Sequence, residues 1–360
     1  MCACLCVAQA PPAASSLKRA IELHQSGKLT EAVKAYRAYL QEHPSAAAVR
    51  SNLGAALAAQ GRFAEAIGEY SLALDADAGN SKVRLNLALA HYKSGDLALA
   101  VGQFEKVRQA EPANRQAALL LADCFLRRGE DKRVIELLEP IAAADAGDLA
   151  VAYLLGTALI RQNQEERGAI LIQKIMGAGD SAEARLLLAV TKLRVGEESG
   201  ALLDVRRAIE LNPNLAEAHT LHGQILTKSA ETAQAEAAFR KALSLNPYEF
   251  DAALQLGALL RQQGRGPEAR VELGRALGVR RGDIRATYQL AMLETAEENN
   301  EKARELFESI VKDAPDFTEA HGRLAAVYTR LGRLNDAGRE REIANRLEAA
   351  AQAAGGSKKK

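Results

Sequence analysis

The sequence predicts an all-α solenoid built from stacked helix–turn–helix units, and three observations predict it. A turn position returns at a near-constant interval: Gly27, Gly61, Gly95, Gly129, Asn163, Gly196, Ala230, Gly264, Glu298 and Gly332 are 34 residues apart, with one step of 33 between Asn163 and Gly196. Seven residues before each turn stands a small residue: Ala20, Gly54, Ala88, Ala122, Gly156, Ala189, Gly223, Gly257, Ala291 and Ala325. The apolar positions between these landmarks are spaced by 3 and 4, the helical spacing, and not by the 2 of a strand.

Each element follows from its residues. The first helix of a unit carries the small residue, which Leu precedes in eight of the ten units. The turn needs positive φ, which Gly supplies freely and Asn tolerates. The second helix carries Ala five residues after the turn in eight units, with Val134 and Gly168 in the other two. Four residues later comes a large apolar side chain: Tyr36, Tyr70, Phe104, Leu138, Ile172, Val205, Phe239, Leu273 or Phe307. The small residue lets two helix backbones approach, and the large one fills the gap beside them. Proline at 44, 112, 213, 247 and 315 closes the second helix, because it lacks the N–H and clashes with the preceding turn. One such hairpin cannot bury its own apolar face, whereas a stack of them can.

These residues resemble the tetratricopeptide repeat (TPR) family, over ten consecutive units covering roughly residues 13 to 350. The resemblance implies a right-handed α-α superhelix of TPR units that holds a protein or peptide client on its concave face. The match weakens where Asn163, Gly168 and Asp180 replace the usual Gly, Ala and Pro, and at Arg341, where an aromatic is expected. A terminal repeat has no neighbour to cover it, so a polar outer side suits Arg341. "GREREIANRLEAAAQAAGG" reads as a charged closing helix, and residues 351–360 as a flexible basic tail.

Composition narrows the function. Both charge signs are mixed, the formal net charge is +1, and no basic stripe interleaved with aromatics appears, so nucleic acid is not the expected partner. No run reaches the roughly 18 apolar residues of a membrane-spanning helix. Cys2, Cys4 and Cys6 crowd the start and Cys124 stands alone, so no disulfide framework is implied. Residues 1–12 read as the remnant of a signal peptide, or as a short unstructured stub. Ala8-Gln9-Ala10 has the shape that signal peptidases favour, although the basic region and half of the apolar core are missing. The expected location is therefore a bacterial periplasm, the cytoplasm being the alternative.

Two registers are candidate partner surfaces. Two residues before the small position, the first helices present Lys18, Asn52, Asn86, Leu120, Leu154, Leu187, Leu221, Gln255, Gln289 and Arg323. In some long members of the family an inward Asn ladder holds a client backbone. The resemblance extends that role to Asn52 and Asn86, while the leucines either line an apolar groove or pack between helices. Five residues after the small position runs a basic ladder, Lys93, Arg127, Arg161, Arg194, Lys228 and Arg330. It suits acidic clients, and equally it complements the helix dipole at the end of each first helix.

Other motifs carry less. His219 and His222 have metal-compatible spacing but no accompanying Cys or carboxylate cluster, so no metal is expected. "GRGPEAR" at 264 to 270 is a turn between helices with no strand before it, so no phosphate or other cofactor is expected. The repeats consume nearly the whole chain, which leaves no room for a catalytic domain. The expected function is a non-catalytic interaction scaffold in an envelope-associated assembly. The alternative is a targeting subunit for an enzyme on a separate chain, such as a glycosyltransferase.

Overall fold

The computed structural model describes residues 13–356, and among them there are twenty helices and no strand. They divide into two compact units, Met1–Leu154 and Leu155–Lys360. The first unit holds hairpins α1 (Ala13–Gln25) with α2 (Leu29–Glu42), α3 (Ala47–Ala59) with α4 (Phe63–Ala76), α5 (Ser81–Lys93) with α6 (Leu97–Ala110), and α7 (Arg115–Arg128) with α8 (Asp131–Ala144). Helix α9 (Leu149–Arg161) spans the division. The second unit continues with α10 (Glu165–Gly177), then α11 (Ala182–Arg194) with α12 (Glu198–Leu211), and α13 (Ala216–Lys228) with α14 (Thr232–Leu245). It ends with α15 (Phe250–Gln262) and α16 (Gly266–Val279), α17 (Ile284–Ala296) and α18 (Asn300–Asp313), and α19 (Thr318–Arg330) with the closing helix α20 (Leu334–Gly356). The chain is an all-α helical solenoid, and the stub and leader readings of residues 1–12 lie outside the described residues.

The turn register holds at every unit. All ten turn positions have positive φ, including Asn163 at 58°, Ala230 at 60° and Glu298 at 62°. The last two carry a Cβ in a left-handed conformation that costs roughly 1–2 kcal/mol. A Cβ at Gly61, where φ is 74°, would meet nothing within 4 Å, so substitution there strains only the backbone. Gly61→Ala is therefore expected to destabilise by about 1 kcal/mol and Ala230→Gly to stabilise by about 0.5–1 kcal/mol. Urea midpoints of the two variants check both signs.

Helix packing follows the small–large pairing. A Cβ at Gly54 would lie 2.8 Å from Tyr70 Cε1, one at Gly223 2.6 Å from Phe239 Cε1, and one at Gly257 2.7 Å from Leu273 Cγ. Burial of Tyr70 pushes its hydroxyl pKa up to about 12. Gly168 departs from the usual Ala for the same steric reason: its Cβ would stand 2.7 Å from Ile160 Cγ1. Each closing proline, such as Pro44 after α2 or Pro315 after α18, sits two residues beyond its helix. Arg341 is exposed on α20 and donates to Thr329 Oγ1 at 2.7 Å. The stretch expected as a tail from residue 351 is shorter than that, because α20 continues to Gly356. Alanines at 349–351, 353 and 354 favour helix up to the terminal glycines.

Several first helices are capped by side chains. Asn80 accepts from Val83 N–H at 3.1 Å, Asn114 from Ala117 N–H at 3.0 Å, Ser181 from Ala184 N–H at 3.2 Å and Asp283 from Ala286 N–H at 3.1 Å. Asp148 does most. It accepts from Ala150 and Val151 N–H at 3.0 Å each and from both arms of Arg115 at 2.6 and 2.8 Å. The Arg115 guanidinium, then the backbone donors, hold its carboxyl down at about 2. A depressed carboxyl contributes stability that is fully present above its unfolded pKa near 3.9 and is lost as pH falls through the folded value. Arg115 is well exposed, so the contribution is about 1–2 kcal/mol. The urea midpoint of Asp148→Ala is expected to lie below that of wild type at pH 5, with the gap closing as the pH falls from about 4 towards 2.

Candidate functional site

Within each unit, neighbouring odd-numbered helices interact through half-buried polar side chains. In the first unit, Tyr92 of α5 donates to Asp123 of α7 at 2.6 Å, and Arg127 Nε donates to the same Asp123 Oδ2 at 2.6 Å. The Arg127 guanidinium also lies over the Tyr92 ring, 5.0 Å from its centroid. Burial and the Asp123 charge push the Tyr92 hydroxyl pKa far up, so it stays a neutral donor. This polar knot was not expected from the sequence. Asp123 and Tyr92 sit one and four residues after the small position, and Arg127, five after it, is a rung of the basic ladder. Cys124, next to it, is buried, and burial pushes its thiol up to about 12.

The first register divides by environment. Asn52, Asn86, Leu120, Leu154, Gln255 and Gln289 are half-buried, whereas Lys18 and Arg323 are exposed. Leu187 is 2% exposed and Leu221 6%, and both pack in the interior of the second unit. Leu187 Cδ1 would touch a Cβ at Gly156 at 3.6 Å. These two leucines thus take the packing alternative. The amides differ too. Gln289 accepts from Arg261 Nε at 3.1 Å, a bond between α17 and α15. The side-chain amides of Asn52, Asn86 and Gln255 form no hydrogen bond among the described residues.

The basic ladder is largely engaged within the chain. Arg194 donates to Asn163 Oδ1 at 2.7 Å, pairs with Glu165 at 3.2 Å and also bonds Ile160 O. Lys228 pairs with Glu198 at 3.3 Å, and Arg330 donates to Thr295 O at 3.1 Å. These three rungs reach back into the preceding hairpin and staple successive repeats. Arg127 is held by Asp123, the Lys93 ammonium stands 6.0 Å from the Tyr92 ring centroid, and Arg161 is exposed.

A second recurrent device escaped the sequence reading. Four residues before the small position, a basic side chain clamps the turn behind its helix to the helix ahead. Arg50 donates to Pro44 O at 2.8 Å and pairs with Glu69 at 2.9 Å. Arg84 donates to Ala78 O at 2.5 Å and to Gln103 at 3.1 Å. Arg185 joins Asp180 at 2.6 Å to Asp204 at 2.8 Å, which fills the place of the missing proline. His321 joins Pro315 O at 3.0 Å to Glu340 at 2.5 Å and so holds α20. His219 occupies the same position and donates to Pro213 O at 2.9 Å, which explains that histidine without a metal. The sequence signal was present as a basic residue recurring with the 34-residue period.

At the C-terminal end, α17, α19 and α20 enclose an open cleft of about 560 Å³. Tyr288 forms one wall, Gly322 and Ala326 line it, and Arg323, Glu319 and Glu348 contribute charge. Arg323, the last member of the first register, therefore faces open space.

Against known proteins, models described as tetratricopeptide repeat match residues 17–81, 91–158 and 220–280. No curated protein matches the chain in sequence. Among solved structures, Cut9–Hcn1 of an APC/C hetero-tetramer is similar with a TM-score of 0.58 and 16% identity, over 94% of this chain and 74% of that one. A monomeric mutant of IFIT1 with Gppp-AAAA aligns with a TM-score of 0.50 and 16% identity, over 93% of this chain and 90% of that one. MamA from Desulfovibrio magneticus RS-1 (residues 41 to its end) aligns over 48% of this chain and 97% of its own, with 24% identity and a TM-score of 0.44. At such identities the likeness is one of fold. The ten left-handed turns, the small–large pairs beside them and the matching models together establish that the chain belongs to the tetratricopeptide repeat family.

Proposed function

We propose that the protein is a non-catalytic scaffold that holds an extended polypeptide along its first helices. The observation that carries this reading is the set of unengaged amides. Asn52, Asn86 and Gln255 are fixed on helices, half-buried, and hydrogen-bonded to nothing among the described residues. An amide offers both a donor and an acceptor, which is what a peptide backbone requires. On the same helices Arg50, Arg84 and Arg261 are engaged within the chain, whereas these amides have both groups to offer a client. In the first unit the Tyr92–Asp123–Arg127 knot ties α5 to α7 beside Asn86, and in the second unit the cleft beside Arg323 offers space for a side chain.

The test is a photo-reactive amino acid placed at position 86 and, as control, at Gly68 on α4, which is exposed. A discrete crosslinked polypeptide from position 86 and none from 68 is expected in cells. Equal products from both positions, or none from 86, would sink the proposal. The envelope setting is part of the same reading and rests on Ala8-Gln9-Ala10. Fractionation decides it, since a wholly cytosolic protein is incompatible with that setting.

A further inference from the structure

The second helices of four successive repeats carry two rows that the rest of the chain lacks. Seven residues after the turn stand Ile170, Leu203, Ala237 and Val271, on α10, α12, α14 and α16. Three are large apolar side chains left in water: Ile170 is 65% exposed, Leu203 70% and Val271 62%. At the same position the other six repeats have Lys34, Gly68, Gly102, Glu136, Glu305 and Arg339. Ten and eleven residues after the turn, the same four repeats carry Lys174, Arg206, Arg207, Arg240, Lys241 and Arg275, with no acid. The other repeats have Glu105, Glu139, Glu308 and Glu342 in those columns, against Arg37 and Lys106.

These columns share one side of each helix, since they are spaced by 3 and 4. In α12 the buried residues Ala201, Val205 and Ala208 lie on the opposite side. All four helices belong to the second unit. With adjacent helices about 10 Å apart, the apolar row extends for roughly 30 Å.

The surroundings of the row distinguish its partner. A Cβ placed on Gly177, Gly274 or Gly278 would meet nothing within 4 Å, and Ser199, Ala233 and Pro267 lie four residues before Leu203, Ala237 and Val271; the same columns also hold two carboxylates, Glu166 before Ile170 and Glu210, which pairs with Arg207. The apolar tips therefore protrude above low ground, with no wall to form the desolvated pockets in which protein partners anchor. Protruding apolar side chains flanked by cations suit an interfacial lipid layer, where tips enter the headgroup region and ammonium or guanidinium groups meet phosphate. Arg206 and Lys241 make no ion pair among the described residues. Arg207, Arg240 and Arg275 do pair with acids, at 36–46% side-chain exposure, where such pairs are weak enough to be exchanged for lipid phosphate.

We propose that this face of the second unit docks on an anionic lipid surface, with Ile170, Leu203 and Val271 entering the headgroup layer beside the Lys174–Arg275 row of cations. It is carried by second helices, whereas the client reading rests on first helices.

The experiment is sedimentation of the full chain with vesicles of phosphatidylcholine alone or mixed with an equal part of phosphatidylglycerol. Wild type is expected to sediment with the mixed vesicles at low salt and to be released as salt is raised. Ile170→Ser/Leu203→Ser/Val271→Ser should lower the partition at least about tenfold, and so should Lys174→Glu/Arg206→Glu/Lys241→Glu. All six sites are on a single surface of the helices, and circular dichroism of both variants checks that the fold persists. Absence of wild-type binding, or equal binding by both folded variants, overturns the proposal. So does a wild-type dimer that the serine variant breaks while vesicle binding is unchanged, which would assign the row to a second copy of the chain.

Discussion

Phe239→Ala is expected to destabilise the second unit by about 3–5 kcal/mol, the cost of emptying a fully buried aromatic site. Phe239 has no exposed surface and lies against Gly223, in the core that α13 to α16 share. The ring fills the space over Gly223, which has no side chain of its own to move into the cavity. The reverse error costs less: Gly223→Ala pushes a Cβ to 2.6 Å from the ring and should cost about 1–3 kcal/mol. The two sites couple. In Gly223→Ala/Phe239→Leu the added methyl fills part of the space that the smaller side chain leaves, imitating the natural pair Ala122 and Leu138. The double variant should therefore be less damaged than the sum of its singles, by about 1 kcal/mol. Because repeats interact with their neighbours, the loss should be local. Hydrogen exchange is expected to accelerate across α13 to α16 and to stay slow in α3 and α4. A uniform acceleration along the chain would contradict the nearest-neighbour account.

The architecture was legible because its causes are local and periodic. A left-handed turn demands Gly, or a residue that bears the strain, and the register found Ala230 and Glu298 as well as the seven glycines. The close approach at Gly54 or Gly223 likewise leaves its mark as a small residue sixteen positions before a large one. Side-chain partnerships were less legible. Arg194 and Lys228 look like an open basic strip in sequence, yet their partners lie about thirty residues back, in the preceding hairpin. Leu187 looks like a groove residue by register, but a neighbouring helix covers it, and the amount of covering depends on how Gly156 and Leu171 bring the helices together. The Arg50, Arg84, Arg185 and His321 clamp had a periodic signal, but its meaning depends on the main-chain oxygens it reaches, which a sequence does not display. The row of Ile170, Leu203 and Val271 was hidden for another reason: the repeat's own pattern of conserved spacing draws the eye to buried positions, and this row lies on the opposite side.

The same division by environment sets the last expected result, which separates architecture from binding in one register. Leu187→Glu should destabilise by more than about 4 kcal/mol, because a carboxylate would replace an apolar side chain only 2% exposed. Its melting transition should fall sharply and any loss of client binding would follow from unfolding. Asn52→Ala with Asn86→Ala should behave in the opposite way. These amides are half-buried and bond to nothing within the chain, so removing them leaves no partner unsatisfied and should change stability by less than about 0.5 kcal/mol. Each lost hydrogen bond to a client backbone costs about 0.5–1.5 kcal/mol, so the pair should weaken binding by about 1–3 kcal/mol, roughly five- to 150-fold. Thermal melts and titration of the polypeptide crosslinked at position 86 read the two quantities on the same variants. An asparagine pair that melts like wild type and binds like wild type removes the amide ladder from the function and leaves the cleft between α17, α19 and α20 as the place where a client must be held.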